Sequence, residues 1–229
     1  ARLWRPKVPS YLCQAVLVDR WPTAIVTGVD NSPEMMAVAE KRARSNRVRY
    51  VLADLRTWVS ESTVDVIISN ATFQWVPQHV ELLDRFVSML NPDGWLAFQV
   101  PGNFDSPSHR VLSDLLLTAP WCERLDEGSG APFKVPHSVL EPREYLAQLT
   151  DLGCAVDAWE TTYYHALKDE ESVLEWMKGT ALRPVLSALP NKHHQQFLYE
   201  YANRLRPHYP PTSAGIVLPF RRILVVANR

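Results

Sequence analysis

The chain has 229 residues, 46% hydrophobic and 21% charged, values of a globular protein long enough to bury a full core in one large domain. Its formal net charge of −1 leaves no electrostatic footprint for nucleic acid or an anionic membrane, and the sequence holds no apolar run of the ~20 residues a span requires. Cys13, Cys122 and Cys154 are odd in number and lack metal-ligand spacing, so no metal is expected and a reducing, cytoplasmic setting is; no signal peptide is expected either.

Residues 1–9 show no clear period. Leu12, Ala15, Val16 and Trp21 recur at roughly helical spacing and lead into a β-branched run, Ile25, Val26, Thr27 and Val29, that ends in Asp30. A turn follows at once. Asn31 and Ser32 can cap a helix, Pro33 suits its first position, and Glu34 lies in the first turn, where the dipole favours a carboxylate. A helix is predicted over 33–45 with Met35, Val38, Ala39 and Arg42 on one face. Strands are predicted over 47–52, ending in Ala53-Asp54-Leu55, and over 64–69, ending in Asn70-Ala71. A helical region over 73–90, a turn at 91–94 and a strand over 95–100 complete this half. Strands alternating with helices imply a doubly wound, mostly parallel sheet.

The texture changes after Pro101. A loop at 102–107 precedes a helix over 108–117 with a serine cap; 126–142 is loop-rich, and a helix over 143–152 stops at Gly153. An alternating strand over 155–165 looks antiparallel. Helices follow over 171–186 and 192–205, and the tail at 216–226 holds two strands, the last at 222–227. The expected architecture is a single α/β domain with its core at about 1–104 and 216–229 and a helical cap at about 105–215.

Asp30, Asp54 and Asn70 end three successive strands. In one doubly wound sheet they would line the edge where ligands bind, within reach of one nucleoside. Asp30 can accept from both ribose hydroxyls and Asp54 from an exocyclic amine. Taken alone, Asp30 fits a helix-capping role equally well. A phosphate-binding loop is excluded because GxxxxGK[ST] does not occur, and GxGxxG is missing too. Only 8 glycines occur, none before Gly28, so a nicotinamide site lacks its loop.

The stretches VTGVDNSPEMM, ADLRTW, DVIISNATFQWV, LNPDGWLAFQVPGNF, VLEWMKGTALRPVL, YPP and PFRRILVVA cover nearly the whole chain and resemble the class I S-adenosylmethionine-dependent methyltransferases. FQWV, KGTALRP and PFRR are the narrower ones and are similar to members that esterify trans-aconitate. The resemblance implies S-adenosyl-L-methionine as cofactor, with Asp30 at the ribose and Asp54 at the adenine amino group. Their neighbours Asn31 and Leu55 join that set, and Asn70, Ala71 and Gln74 would lie near the sulfonium and methionine portion. Phe73 and Trp75 read at least as readily as core. The family begins with a strand and a glycine-rich loop; here 8–22 runs almost directly into the helix that should follow, so a strand and loop are expected to be missing between Val8 and Leu12.

Methyl transfer from a sulfonium to a carboxylate is an in-line displacement by a nucleophile already ionised at neutral pH. It needs no general base, only alignment and exclusion of water. A small tricarboxylate substrate instead needs donors, with arginine best for a planar carboxylate. Arg183, His165, Tyr163, Tyr209, Arg221 and Arg222 are the candidates, with His109 and Asn103 beyond the fourth strand. Alternation along the tail strand sends one of Arg221 and Arg222 inward and the other outward. Trp159 and Trp176 read as core. Methylation of another small carboxylate or hydroxyl, or a catalytically dead cofactor-binding module, stays open at this point.

Overall fold

The computed structural model describes residues 11–43, 45–129 and 139–229. It opens with α1 (Tyr11–Arg20), β1 (Val26–Asp30), α2 (Pro33–Lys41) and β2 (Val48–Leu52). The break expected between Val8 and Leu12 falls largely outside the described residues. β1 and β2 pair in parallel from Val26 opposite Val48 to Asp30 opposite Leu52. Ser32 caps α2: its Oγ accepts from the Met35 N–H at 3.2 Å, and Pro33 takes the first turn. The buried side of α2 carries Met36 and Ala39, whereas Met35 and Val38 are exposed. The expected face is therefore rotated. Two adjacent methionines let either register satisfy a helical period, and packing chooses between them.

The second half of the architecture is a larger sheet. β3 (Val64–Asn70) leads through 3₁₀ turns at Phe73–Trp75 and His79–Leu82 and α3 (Leu83–Ser88) into β4 (Leu90–Pro101). Then come α4 (Pro107–Leu116), α5 (Trp121–Ser129), α6 (Pro142–Asp151) and β5 (Ala155–Leu167). α7 (Glu171–Lys178), α8 (Leu182–Ala188), α9 (His194–Leu205), β6 (Pro211–Thr212) and β7 (Gly215–Asn228) close the chain. The strand order is β3-β4-β7-β5, with β6 beside β7. β3 and β4 are parallel, while β7 is antiparallel to β4, β5 and β6.

Several elements depart from their predicted bounds for local reasons. The turn at 91–94 sits inside β4 as an irregularity, because the register jumps from Val64 opposite Leu90 to Val66 opposite Trp95. Asp93 there has φ of 62°, and its N–H donates to the Arg229 carbonyl. The tail is one strand, not two, because β5 offers β7 an unbroken partner from Leu167 opposite Ile216 to Ala155 opposite Asn228. The helix expected over 171–186 divides at Gly179 into α7 and α8. α5 begins ahead of the stretch read as loop-rich, and α4 starts at Pro107 with Ser106 at its N-cap position, where the serine side chain makes no capping bond.

Among the described residues the β1–β2 ladder shares no strand pairing with the larger sheet. No described strand stands between β1 and β3 to carry hydrogen bonds from one to the other. The segment after β2 makes the connection instead. Leu55 and Trp58 pack against the core of the larger sheet, and Arg85 on α3 donates to the carbonyls of Leu55 and, at 2.7 Å, Arg56.

Two apolar clusters hold the rest. One face of the larger sheet buries Leu96, Phe98, Val100, Ile223, Val225 and Ala227 against Phe73, Phe86, Tyr145 and Leu149. Truncating one such leucine to alanine costs ~2–5 kcal/mol. The other cluster joins α4, α5, α7, α8 and α9 to Ile216 and Leu218 of β7. Trp121 lies wholly inside it, and its indole N–H donates to Glu200 Oε2 at 2.8 Å, as a buried indole requires. α6 and β5 fall within the stretch expected to form the cap, yet they build the sheet side of the molecule. Among the described residues no helix is long and apolar enough to cross a membrane, and no three His, Cys, Asp or Glu side chains gather as metal ligands.

Candidate active site

Asp30 and Asp54 lie at the same end of the parallel β1–β2 ladder: Asp30 opposes Leu52, and its carbonyl accepts from the Ala53 N–H at 3.0 Å. Asp30 Oδ1 accepts from the Ser32 N–H at 2.9 Å. Among the described residues no hydrogen bond engages its other oxygen, which can take a hydroxyl donor. Asp54 is more heavily engaged, since Arg56 Nε lies 2.9 Å and Nη2 2.5 Å from Oδ2. These bonds and the Arg56 N–H hold the Asp54 carboxyl down at about 2, so it is ionised at any working pH.

Asn70 ends β3 in the other sheet, so the three polar strand ends fall into two groups instead of one ladder. Ala71 follows with φ of 53°, a left-handed conformation that costs a residue bearing a Cβ about 1–2 kcal/mol. The turn is held from both sides. The Ala71 N–H donates to the Gln99 carbonyl at 2.8 Å, and the Ala71 carbonyl accepts from Gln74 Nε2 at 2.7 Å. Gln74 is 7% exposed, and its Oε1 is buried without a donor among the described residues. That acceptor suits an ammonium group. Asp30 can thus accept from a hydroxyl and Gln74 from an ammonium group, and Asn31 and Leu55 adjoin the two strand-end acids. Phe73 is buried core, whereas Trp75 is 47% exposed.

β7 separates its two arginines by alternation. Arg221 bonds the carboxylates of Glu141 and Glu160 and donates to the Gly102 carbonyl at 3.1 Å, so it ties β7 to α6 and β5. Hydrogen bonding to the two acids raises its pKa, and Arg221 in turn lowers that of Glu141. Arg222 points the other way. Its Nη1 donates to Gln99 Oε1, and its guanidinium carbon lies 5.7 Å from the Tyr163 ring centre and 5.1 Å from that of Phe220. It is half-buried, and among the described residues no carboxylate lies within 4.0 Å of it. Burial pushes its pKa down, as it does that of His165, where the Arg222 charge adds to the effect.

His165, Trp176 and Phe220 extend this group. His165 lies 4.9 Å from Trp176 and 6.1 Å from Phe220, and stacks on Tyr163 at 6.4 Å. Trp176 packs partly buried against the helical cluster, as expected of core, and also borders this group, whereas Trp159 is 43% exposed and is not the core residue expected. Tyr209 serves the frame: its hydroxyl accepts from the Ser108 N–H at 3.2 Å, while Tyr201 donates to the Ser108 carbonyl at 2.9 Å. His109 beside them has Nδ1 3.1 Å from Ser106 Oγ and its ring edge-on to Phe104. Asn103 Oδ1 is buried without a donor among the described residues. Arg183 is exposed on α8 and shares no hydrogen bond or ring contact with the Arg222 group.

Strand register brings the two halves of the site together. Asn70 stands opposite Gln99, and Gln99 and Arg222 lie on neighbouring strands with Tyr163 on the next. All four share the sheet face opposite the core of Leu96, Phe98 and Val225. Gln99 was not among the residues singled out by sequence. Its place in an apolar strand, WLAFQV, was the available signal, since a polar residue there needs a partner.

A methyltransferase-domain family matches residues 11–98. Trans-aconitate 2-methyltransferase of Streptomyces avermitilis is 48% identical over 93% of this chain and 80% of its own length. The chain belongs to the trans-aconitate 2-methyltransferase family. The member from Mycobacterium tuberculosis is 42% identical over 96% of this chain and 82% of its own length. Among solved structures, YcgJ of Bacillus subtilis superposes with a TM-score of 0.56 at 16% identity over 96% of this chain and 88% of that one. The cyclopropane synthase MmaA2 of Mycobacterium tuberculosis gives 0.50 at 15% identity over 93% and 73%. At such identities the two structures establish the class I, Rossmann-like α/β fold. The protein is a methyltransferase with S-adenosylmethionine as its methyl donor.

Proposed function

We propose that this protein esterifies one carboxylate of trans-aconitate, or of a close tricarboxylic acid, to a monomethyl ester in the cytoplasm. The observation that carries the reading is Arg222: a half-buried guanidinium among aromatic rings, bonded to a neutral amide and with no acid partner among the described residues. A buried cation is costly unless an anion completes it. A polyanionic substrate supplies that anion. The activity for which the family is named supplies one, and His165 and Tyr163 add donors beside it.

S-adenosylmethionine, when bound, supplies the sulfonium methyl that the carboxylate oxygen displaces in line. The protein's task is alignment. Asp30, Asp54, Asn31 and Leu55 would hold the nucleoside end, and Asn70, Ala71 and Gln74 the methionine end. Arg222, Tyr163 and His165 would hold the acid on the same sheet face as Asn70, and Trp176 would shed water from it. Arg183 and His109 would lie farther out in the cap, and Tyr209 and Arg221 support the site through the frame. A reducing compartment accords with Cys122 and Cys154, which are unbridged.

Incubation with S-adenosylmethionine and trans-aconitate tests the reading, with mass spectrometry for a product 14 Da heavier than the acid by exchange of H for CH₃ and chromatography for S-adenosylhomocysteine, in about equal amounts. A protein that binds S-adenosylhomocysteine but forms no ester from trans-aconitate, citrate or isocitrate would overturn it.

A further inference from the structure

Gln99 is 9% exposed, and the two ends of its amide differ. Oε1 accepts from Arg222 Nη1. A guanidinium only donates, so this bond fixes the amide orientation and turns Nε2 away from Arg222. Nε2 is buried and has no acceptor among the described residues. Flipping the amide gives no relief, because it would set donor against donor. A fixed, buried N–H pair without an acceptor is a vacancy for a ligand oxygen.

The register sets where that vacancy lies. Asn70, at the methionine end of the site, is the neighbour of Gln99 across β3–β4, and Arg222 is on the strand beyond. Across this face the order is therefore Asn70, then a neutral donor, then a fixed cation. The order matters for the chemistry. The attacking oxygen loses its negative charge as the O–C bond forms and the C–S bond breaks, the electron pair leaving with sulfur and no proton moving. A full cation on that oxygen would stabilise the ground state more than the transition state and slow the attack. An amide N–H orients the oxygen with a much smaller loss.

We propose that Gln99 Nε2 orients the carboxylate that becomes methylated, while Arg222 takes a neighbouring carboxylate of the same polyanion. This rests on the reading that the protein esterifies a tricarboxylate. Gln99 thereby decides which carboxylate reacts, and Arg222 decides how tightly the acid binds.

The test compares wild type, Gln99→Met and Arg222→Met by steady-state kinetics with trans-aconitate, calorimetry with S-adenosylhomocysteine, and NMR assignment of the ester position. Gln99→Met should lower kcat about 10- to 100-fold, shift KM less than about threefold, leave S-adenosylhomocysteine affinity level and yield a second positional ester. Arg222→Met should raise KM about tenfold or more and keep a single ester. Gln99→Met with wild-type kcat and a single ester overturns the proposal, as does a rise in KM alone, the pattern of a mere prop for Arg222. Should Gln99→Met not fold, Gln99→Asn carries the same test, since it withdraws the amide by one methylene. A wild type that binds S-adenosylhomocysteine yet makes no ester overturns the functional reading itself, an outcome distinct from failure of the variants.

Discussion

The Tyr145 hydroxyl lies 2.7 Å from His79 Nε2, joining α6 to an imidazole with no solvent exposure. Phe73 stacks on the same imidazole at 5.7 Å, and the Val76 carbonyl accepts from the ring's other nitrogen. Burial pushes Tyr145 up to about 12, so the phenol remains a donor and His79 Nε2 the acceptor. This relay fixes the turn that carries Gln74 into the site.

The relay makes stability depend on pH. Burial pushes His79 down to about 4, below its ordinary 6.5. The unfolded chain takes up a proton near 6.5 while the native state refuses one until about 4. The native state is therefore fully favoured above that range and loses about 3 kcal/mol as pH falls through it. His165, also lowered, adds in the same direction. Urea unfolding at pH 8, 6.5, 5.5 and 4.5 should show the decline, and a His79→Phe/Tyr145→Phe double variant should flatten most of it. An equal slope in both proteins would assign the titration elsewhere.

Asp30 should matter to the donor more than to the fold. Asp30→Ala removes the ribose acceptor and one bond from the Ser32 N–H. The expected loss of S-adenosylhomocysteine affinity is about 10- to 100-fold, or ~1.5–3 kcal/mol. Calorimetry beside a melting curve separates the two roles: affinity unchanged with a lowered Tm would return Asp30 to capping alone.

Neighbouring arginines should fail in opposite ways. Arg221→Met strands Glu141 and Glu160 beside each other and should cost ~1–2 kcal/mol of stability, discounted because both acids are about half exposed. Its KM for the acid should move little. Arg222→Met should leave the Tm near wild type and raise KM. Arg183→Lys and Arg183→Ala are expected to act weakly on kcat/KM, since Arg183 is exposed and shares no bond with the Arg222 group. Kinetics and thermal melts of the set decide; losses at Arg183 equal to those at Arg222 would move the clamp onto α8.

Arg85 reaches from α3 to the carbonyls of Leu55 and Arg56 and so holds the loop that follows Asp54. Arg85→Met should weaken S-adenosylhomocysteine binding by roughly three- to tenfold, because the loop must then be ordered at the expense of binding. Titration of the variant at matched ionic strength checks this, and full affinity would show the Asp54–Arg56 pair sufficient by itself.

Local pattern alone determined β1 with its terminal Asp30, the Ser32 cap and Pro33 entry to α2, the parallel β3–β4 pair and the antiparallel β5. Each follows from side-chain period, β-branching or capping chemistry within a few residues. The family was legible for the same reason, since its motifs are contiguous. What sequence could not supply is which residues from distant strands share a face. Arg221 and Arg222 are adjacent and chemically identical, and only the pairing of β7 with β5 and β4 sends one to two glutamates and the other to Gln99 and Tyr163. The same pairing fused two predicted strands into β7, and the separate pairing of β3 with β4 placed Gln99 opposite Asn70. Likewise, period alone left α2 free to bury either methionine, and packing buried Met36. Propensity acts along the chain, whereas burial, register and charge pairing act across it, so the substrate side of the site became visible only once the strands were assembled.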